Sequence, residues 1–243
     1  CDWYVNDIPE DNIISLQDSL ELINSQIGCT DSLACNFDII HWYDDGSCFY
    51  SELGYDCEGN ITAEIGDIME GGYLFYLDET GEHGLVAALE DLTEGATEYG
   101  EWGYNGYEWG CYQESVNGAN GIFIGTGYQN TMDIVNHGCE TEVGGITSAQ
   151  AALDALIGDY TDWFLPSKDE LLEAYFTIGN GSLEGNIAGF EMSNPDGTGY
   201  YWSSSENQNG THNAWAVNLT NGYTSTSHYS KGYSGRVRVI RAF

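Results

Sequence analysis

Residues 162–179, DWFLPSKDELLEAYFTIG, carry the clearest local signal for the fold. The first four residues indicate a short extended segment. Pro166 and Ser167 follow, and Ser167 with Glu170 has the S-x-x-E spacing of a capping box, so a helix is predicted to begin at this point. Apolar side chains at helical spacing form its inner face: Leu171, Leu172, Tyr175 and Phe176.

The segments on either side of this helix predict a mixed α+β domain over residues 61–243. Upstream, TSAQAALDALI (147–157) predicts a second helix, capped by Thr147 or Ser148. GGYLFYLD (71–78) indicates a strand, and EHGLVAALED (82–91) indicates its hairpin partner. Downstream, three closing strands are predicted in GYYWSSSE (199–206), AWAVNLTNG (214–222) and RVRVIRAF (236–243). We therefore expect short antiparallel strands and two helices.

Charge sets the first limits on function. The chain of 243 residues has 39 acidic and five basic residues, a net charge of −34. Nucleic acid is excluded as a partner, because phosphate binding needs lysine and arginine. An anionic membrane surface is excluded for the same reason. No apolar run reaches membrane-spanning length, so no transmembrane segment is predicted. The chain begins at Cys1 without a methionine, and we expect it to be processed.

Residues 1–27 are predicted to form a separate segment with one amphipathic helix. Ser15 can cap its start, Gly28 fits its end, and one face is apolar through Leu16, Leu20, Ile23 and Ile27. A helix with a single apolar stripe packs against another surface. That surface is either the rest of the chain or a neighbouring copy.

Seven cysteines, none in a C-x-x-C pair, favour an oxidising compartment over a zinc or thioredoxin-type site. Four of them lie in residues 28–60, a segment too small to be held by core burial, so disulfides are expected to staple it. Cys111 and Cys139 flank one long loop and are predicted to pair. The number is odd, and Cys1 is the candidate without an intrachain partner. It could be lipidated, free, cross-linked between chains, or paired within its own chain.

The small segment resembles a short module of large secreted surface proteins of marine bacteria, through GCTDSLACN and DDGSC. This resemblance implies a Cys29–Cys48 bridge, which leaves Cys35–Cys57 as the other pair. Four aspartates of the module, Asp31, Asp38, Asp44 and Asp45, are candidate Ca²⁺ ligands, since calcium prefers clustered oxygen ligands. Their spacing is not that of an EF-hand loop, and solvated turn residues are the alternative interpretation.

Residues 66–243 resemble the Lcl C-terminal-like domain, which is related to the bacterial major paralogous domain. The motifs occur in order: GDIMEGGYLFYLDETGEHGLVAA, EWGCY, IGTGYQNTMDIVNHGC, DWFLPSKDEL, YWSSSE, AWAVN and RVRVIRAF. The resemblance implies a C-type lectin-like fold and an extracellular or cell-surface protein of adhesion and ligand display. Some relatives are variable proteins of diversity-generating retroelements, in which template-directed changes at adenines diversify the region before the terminal strand.

The segment YTSTSHYSKGYSG (223–235) has no periodicity, although a patterned strand follows it. Apart from Lys231, its residue types can all be reached from an Asn codon by changing adenines. The resemblance thus implies a diversified ligand-binding face, and tyrosine, serine and glycine suit such a face. Its residues are Tyr223, Thr224, Ser225, Thr226, Ser227, His228, Tyr229, Ser230, Tyr233 and Ser234. A second patch comprises Asn207, Asn209, Thr211 and His212. The alternative is an ordinary polar loop.

Catalysis is not expected. The chain contains neither HExxH nor GxSxG, and it lacks the C-terminal cysteines that formylglycine-generating relatives of the fold require. Arg236 and Arg238 share a strand face and are predicted to pair with carboxylates, with capture of an acidic ligand as the alternative. The expected function is non-catalytic binding of a protein or glycan at a surface. The alternative is a subunit of a self-assembling extracellular filament, held by the N-terminal helix or by Cys1.

Overall fold

The computed structural model describes residues 21, 23–99, 104–192, 199–225 and 229–243. The chain divides into two compact units, Cys1–Thr62 and Ala63–Phe243. Most of the predicted N-terminal helix lies outside the described residues, as does Cys1. Of that helix, Glu21, Ile23 and Asn24 are described and helical.

The smaller unit is held mainly by two disulfides, Cys29–Cys48 and Cys35–Cys57, the pairs that the resemblance implies. Among its described residues, strand pairing is limited to single bridges, Ile27 with Tyr43 and Tyr55 with Ile61. Among its described residues, Cys29 and Ala34 are the only buried apolar side chains. Large apolar side chains are instead three-quarters exposed or more: Leu33, Ile39, Trp42 and Leu53. In the described part of this unit, covalent cross-links therefore take the place of a hydrophobic core.

The larger unit contains three antiparallel sheets of short strands. The first sheet has the order β1-β2-β3-β10, the second β4-β5-β9 and the third β6-β7-β8. The strands are β1 Ile68–Met69, β2 Gly72–Leu77, β3 Gly84–Ala88, β4 Thr97–Tyr99, β5 Tyr104–Glu108, β6 Tyr200–Glu206, β7 Ala214–Asn218, β8 Tyr223–Thr224, β9 Ser234–Gly235 and β10 Ile240–Ala242. The predicted hairpin is confirmed, because β2 pairs with β3.

Three helices are described in this unit, one more than the sequence predicts: α1 Gly127–His137, α2 Ser148–Leu153 and α3 Lys168–Thr177. The capping box at the start of α3 is confirmed in both directions between Ser167 and Glu170. Thr147 caps α2 and accepts a hydrogen bond from the Gln150 N–H. The fold is thus α+β with short antiparallel strands, three helices and three disulfides, the third being Cys111–Cys139.

The core of the larger unit lies between the four-stranded sheet, α3 and the β6-β7-β8 sheet. Its members are mostly aromatic and branched apolar side chains from these elements, including Phe75, Leu85, Phe164, Leu171, Tyr175, Tyr201, Val217 and Ile240. Leu171 and Tyr175 are buried as predicted, whereas Phe176 is exposed. This core fixes β6 and β7, the strands from which the candidate binding surface projects.

The C-terminal segment is not the single strand that its alternation predicts. Ser234 and Gly235 pair with β5, Arg236 bridges to Tyr201, and Ile240–Ala242 pairs with β3. The segment therefore passes from one sheet to the next. Arg238 is buried between Val237 and Val239, because Asp91 and three backbone carbonyls satisfy its guanidinium.

Candidate binding surface

Tyrosines from separate strands project from one face of the β6-β7-β8 sheet. Tyr200 of β6 and Tyr223 of β8 both lie opposite Asn218 of β7. Residues directly opposite one another in an antiparallel sheet point to the same face, so these three side chains form one row. The Tyr223 side chain is 52% exposed. Burial raises the pKa of Tyr200, and the nearby Tyr223 adds to this effect.

The segment that leads into β9 adds two further tyrosines. The Tyr229 ring lies with its centroid 4.7 Å from the rings of both Tyr200 and Trp202. The Tyr233 ring meets it edge-on at 6.0 Å and is 57% exposed. The Tyr229 hydroxyl donates to the Ser234 carbonyl at 2.9 Å. We call Tyr200, Tyr223, Tyr229 and Tyr233 the tyrosine face.

A tightly packed layer supports this face. Trp202 is fully buried, and its indole N–H donates to the Tyr107 carbonyl at 2.7 Å. Burial raises the pKa of Tyr107 to about 12. The backbone of Gly235 passes so close to Trp202 that a Cβ there would lie 2.7 Å from the indole nitrogen. Only glycine fits this approach without displacing the ring, and the position of β9 depends on it.

A buried ion pair anchors the segment that carries Tyr229 and Tyr233. The Lys231 side chain is fully buried, and its ammonium lies 2.5 Å from Glu206 Oε1 and 2.7 Å from the Glu114 carbonyl. Its Nζ also lies 4.5 Å from the centre of the Trp109 ring. Burial lowers the pKa of Lys231, while the hydrogen bond and attraction to Glu206 oppose that shift. Lys231 is therefore part of the scaffold, not of the exposed surface.

The structure places the predicted ligand-binding residues in three different environments. Tyr223, Tyr229 and Tyr233 belong to the tyrosine face, with Thr224 and Ser230 half-buried beside them in the sequence. Asn209 and His212 are exposed and Thr211 is half-buried, all in the loop between β6 and β7. Three residues of the predicted set, Thr226, Ser227 and His228, lie outside the described residues.

Three predicted ligand residues are instead buried parts of the scaffold. Asn207 accepts the Asn209 N–H at 3.0 Å, and the Ser225 hydroxyl oxygen accepts the Ala216 N–H at 3.2 Å. Ser234 lies in β9, where a Cβ on Gly106 would meet its hydroxyl. All three side chains are buried in the described structure. Tyr200 is absent from the predicted set, although the alternation of GYYWSSSE places it on the same strand face as Trp202.

The four aspartates proposed as calcium ligands each close a local turn. Their carboxylates accept the N–H group two residues later, in Leu33, Ile40, Gly46 and Ser47. No three of them have carboxylate oxygens within 4.8 Å of one another; across the described residues, only Cys111, Glu114 and His137 meet that criterion. Cys111 is disulfide-bonded, so its sulfur is not a free thiolate ligand.

All lysine and arginine side chains of the chain are paired with carboxylates. Lys168 contacts Asp169, Lys231 contacts Glu206, and Arg241 contacts Glu70 and Asp162. The Asp91 carboxylate lies 2.7 Å from Arg238 and 3.8 Å from Arg236. The prediction that these two arginines pair with carboxylates is therefore confirmed. The surface thus offers an anionic ligand no unpaired lysine or arginine.

The comparison with family models gives the class of the larger unit. The Lcl C-terminal domain matches residues 112–241, a stretch that includes the tyrosine face and all three helices. The chain therefore belongs to the Lcl C-terminal domain family. No curated protein matches the chain. No helix among the described residues is long and apolar enough to cross a membrane.

Proposed function

We propose that the chain is a non-catalytic extracellular adhesion protein that binds a protein ligand through the tyrosine face on a C-type lectin-like scaffold. One observation carries this proposal: four tyrosines from three segments gather on one face, above a layer fixed by Trp202 and Gly235. Tyrosine supplies large contact area at low conformational entropy cost, and it is enriched at binding hot spots. The diversification that the family resemblance implies would act on this face.

The charge distribution supports a ligand that is neutral or cationic. Each lysine and arginine is engaged by a carboxylate, while the chain carries a net charge of −34. Complementary charge speeds association and excludes wrong partners. An anionic polymer would be repelled.

The hydroxyl groups of the Ser203–Ser205 run are buried and bonded to backbone or to Asn130, which supports a structural role for them.

The proposal is tested by binding of the fluorescent full-length chain to a panel of immobilised extracellular proteins and intact cell surfaces. We expect the Tyr223→Ser and Tyr233→Ser variants to lose binding, each by about 2 kcal/mol. Tyr128→Ser is the matched control, since Tyr128 is an equally exposed tyrosine on α1. Equal losses in all three variants, or no binding by the unmodified chain to any target, would contradict the proposal.

A second candidate function is self-assembly through the smaller unit. It is favoured by the large apolar side chains of this unit that are three-quarters exposed or more, Leu33, Ile39, Trp42 and Leu53. Light scattering and negative-stain imaging, with and without reductant and chelator, would test it. Long regular particles that disappear in a Trp42→Ser/Ile39→Ser variant would support assembly. A monomer under all conditions would remove this candidate.

A further inference from the structure

Two loops of the larger unit, residues 117–123 and 206–211, border a groove at the end of β6. It consists of two adjoining depressions of about 530 and 410 Å³ that share Asn120, Glu206, Asn207 and Gln208 in their walls. Volumes of this size are typical of small-ligand sites. None of the four residues of the tyrosine face lines the groove.

Four amide side chains in the walls are exposed and uncommitted. They are Asn117 and Asn120 from the first loop and Gln208 and Asn209 from the second. None of these side chains makes a hydrogen bond to another described residue. Each amide offers both donors and an acceptor, so the two loops present paired donors and acceptors to whatever enters.

Apolar and aromatic side chains form another part of the wall. The Phe123 side chain is 68% exposed, and Trp215 and Ile122 are half-buried beside it. The Lys168 ammonium lies 5.2 Å from the centre of the Trp215 ring and forms an ion pair with Asp169. Accessible aromatic rings beside amides without internal hydrogen bonds are the composition of a ligand site that recognises both apolar surface and hydroxyl groups.

The groove presents no free charge. Glu206 is the only ionisable residue in its lining, and its carboxylate accepts the Lys231 ammonium and the Val116 N–H. The positive and negative charges of the buried pair cancel locally. A carboxylate engaged in this way is not available to coordinate a cation. The amides and the aromatic rings are therefore the groups of the lining that can contact a ligand.

The main chain of both loops is largely engaged within the protein. The Ala119 carbonyl accepts the Glu206 N–H at 2.6 Å, and the amide of Asn130 bonds both the N–H and the carbonyl of Gly121. The Ile122 carbonyl accepts the Asp169 N–H at 2.9 Å. An extended peptide would need a free row of main-chain groups to add as a strand. The groove offers side chains instead.

We propose that this groove binds a neutral oligosaccharide independently of metal ions. Vicinal hydroxyl groups match the paired donors and acceptors of Asn120, Gln208 and Asn209, and the C–H face of a sugar ring packs on Phe123 and Trp215. Sulfated or uronic-acid polymers would be repelled by the chain's net charge of −34. This site shares no residue with the tyrosine face. The oligosaccharide proposal and the protein-binding proposal are therefore tested independently.

The test is titration calorimetry of the full chain with neutral gluco-, manno-, galacto- and xylo-oligosaccharides, with and without EDTA. The Asn120→Ala/Gln208→Ala variant and the Phe123→Ala variant are each expected to weaken binding roughly tenfold, because each removes contacts worth about 1.4 kcal/mol. EDTA is expected to leave the affinity unchanged. These side chains make no internal hydrogen bonds, so the variants should keep the thermal midpoint of the unmodified chain.

Matched controls separate the groove from general effects. Gln129→Ala removes an exposed amide from α1, and Phe176→Ala removes an exposed phenylalanine from α3. Both should bind the oligosaccharide as the unmodified chain does, as should Tyr223→Ser. The proposal is overturned if no neutral oligosaccharide binds, if EDTA abolishes binding, if the controls lose as much affinity as the groove variants, or if an unstructured peptide competes for the groove.

Discussion

The Lys231 ammonium and the Glu206 carboxylate meet at 2.5 Å in the interior of the larger unit. Lys231 lies just before β9, and Glu206 lies at the end of β6. Glu206 also accepts the Val116 N–H, and Lys231 donates to the Glu114 carbonyl. The pair thus joins the loop after Cys111 to both segments that carry candidate ligand residues.

Removing one member of this pair should destabilise the fold strongly. In Lys231→Met the Glu206 charge is left buried without its partner, and such a loss costs about 3 to 5 kcal/mol. The double variant Lys231→Met/Glu206→Gln removes both charges and should be less destabilised than Lys231→Met alone. Urea unfolding followed by tryptophan fluorescence measures both free energies.

Lys168→Met provides the control, because its partner Asp169 is partly exposed and such pairs contribute less than about 1 kcal/mol. Similar losses for Lys231→Met and Lys168→Met would show that burial does not give the Lys231–Glu206 pair its importance.

The Glu170 carboxylate accepts hydrogen bonds at the starts of two helices, and its removal should destabilise the first turn of both. Its Oε2 accepts the Ser167 N–H at 2.6 Å, at the start of α3, and its Oε1 accepts the Gly125 N–H at 2.7 Å, just before α1. Glu170→Ala leaves the buried Ser167 N–H without an acceptor and removes the acceptor of the Gly125 N–H, a cost of about 2 kcal/mol. Hydrogen exchange should show faster exchange in the first turns of both helices. Glu173→Ala, on the same helix, is the control and should change neither the free energy of unfolding nor the rate of hydrogen exchange. If Glu170→Ala reduces protection from exchange in α3 alone, the link to α1 is refuted.

This contact explains why the sequence predicts α3 and misses α1. The residues that cap the start of α3, Ser167 and Glu170, lie close together in the sequence at that point. Thr126, the N-cap of α1, makes no side-chain cap bond, and the helix buries polar Asn130 and Thr131 as well as Ile134. Its N-terminal support comes from Glu170, far along the chain. A local pattern cannot reveal a helix whose capping group lies in another element.

The same limit applies to the binding surface and to the terminal segment. Composition predicted a ligand-binding face in the tyrosine-rich segment, but it could not predict that Ser225 is buried. Ser225 is buried because it accepts a hydrogen bond from the Ala216 N–H of β7 and donates one to the Ala216 carbonyl. The alternation of RVRVIRAF was correct for burial at Val237 and Val239, yet it predicted a single strand. The segment changes partners at Arg236 and Ile240, and pairing partners are not encoded in alternation.

The Cys111–Cys139 bridge should stabilise the larger unit, because it closes a loop of 28 residues around α1. Replacing both cysteines by serine is expected to cost about 3 to 4 kcal/mol. Urea unfolding measures this cost, and peptide mapping of the unreduced protein should find the two cysteines in one cross-linked fragment. A free thiol at either position, or unchanged stability of the double variant, would contradict the assignment.

Acid should weaken the smaller unit through Asp31. Its carboxylate accepts the Leu33 N–H and the Tyr50 hydroxyl, which lower the pKa of Asp31 below 3.8. Because the folded-state pKa is lowered, this stabilisation is present above pH 3.8 and is lost as the pH falls through the folded-state pKa. Tyr50→Phe removes one donor, so NMR titration should find the pKa of Asp31 higher but still below 3.8. Asp56, whose pKa is lowered by Asn60, is the internal control and should not move. An unchanged Asp31 pKa in Tyr50→Phe, or an equal shift at Asp56, would rule out the Tyr50 hydroxyl as a cause.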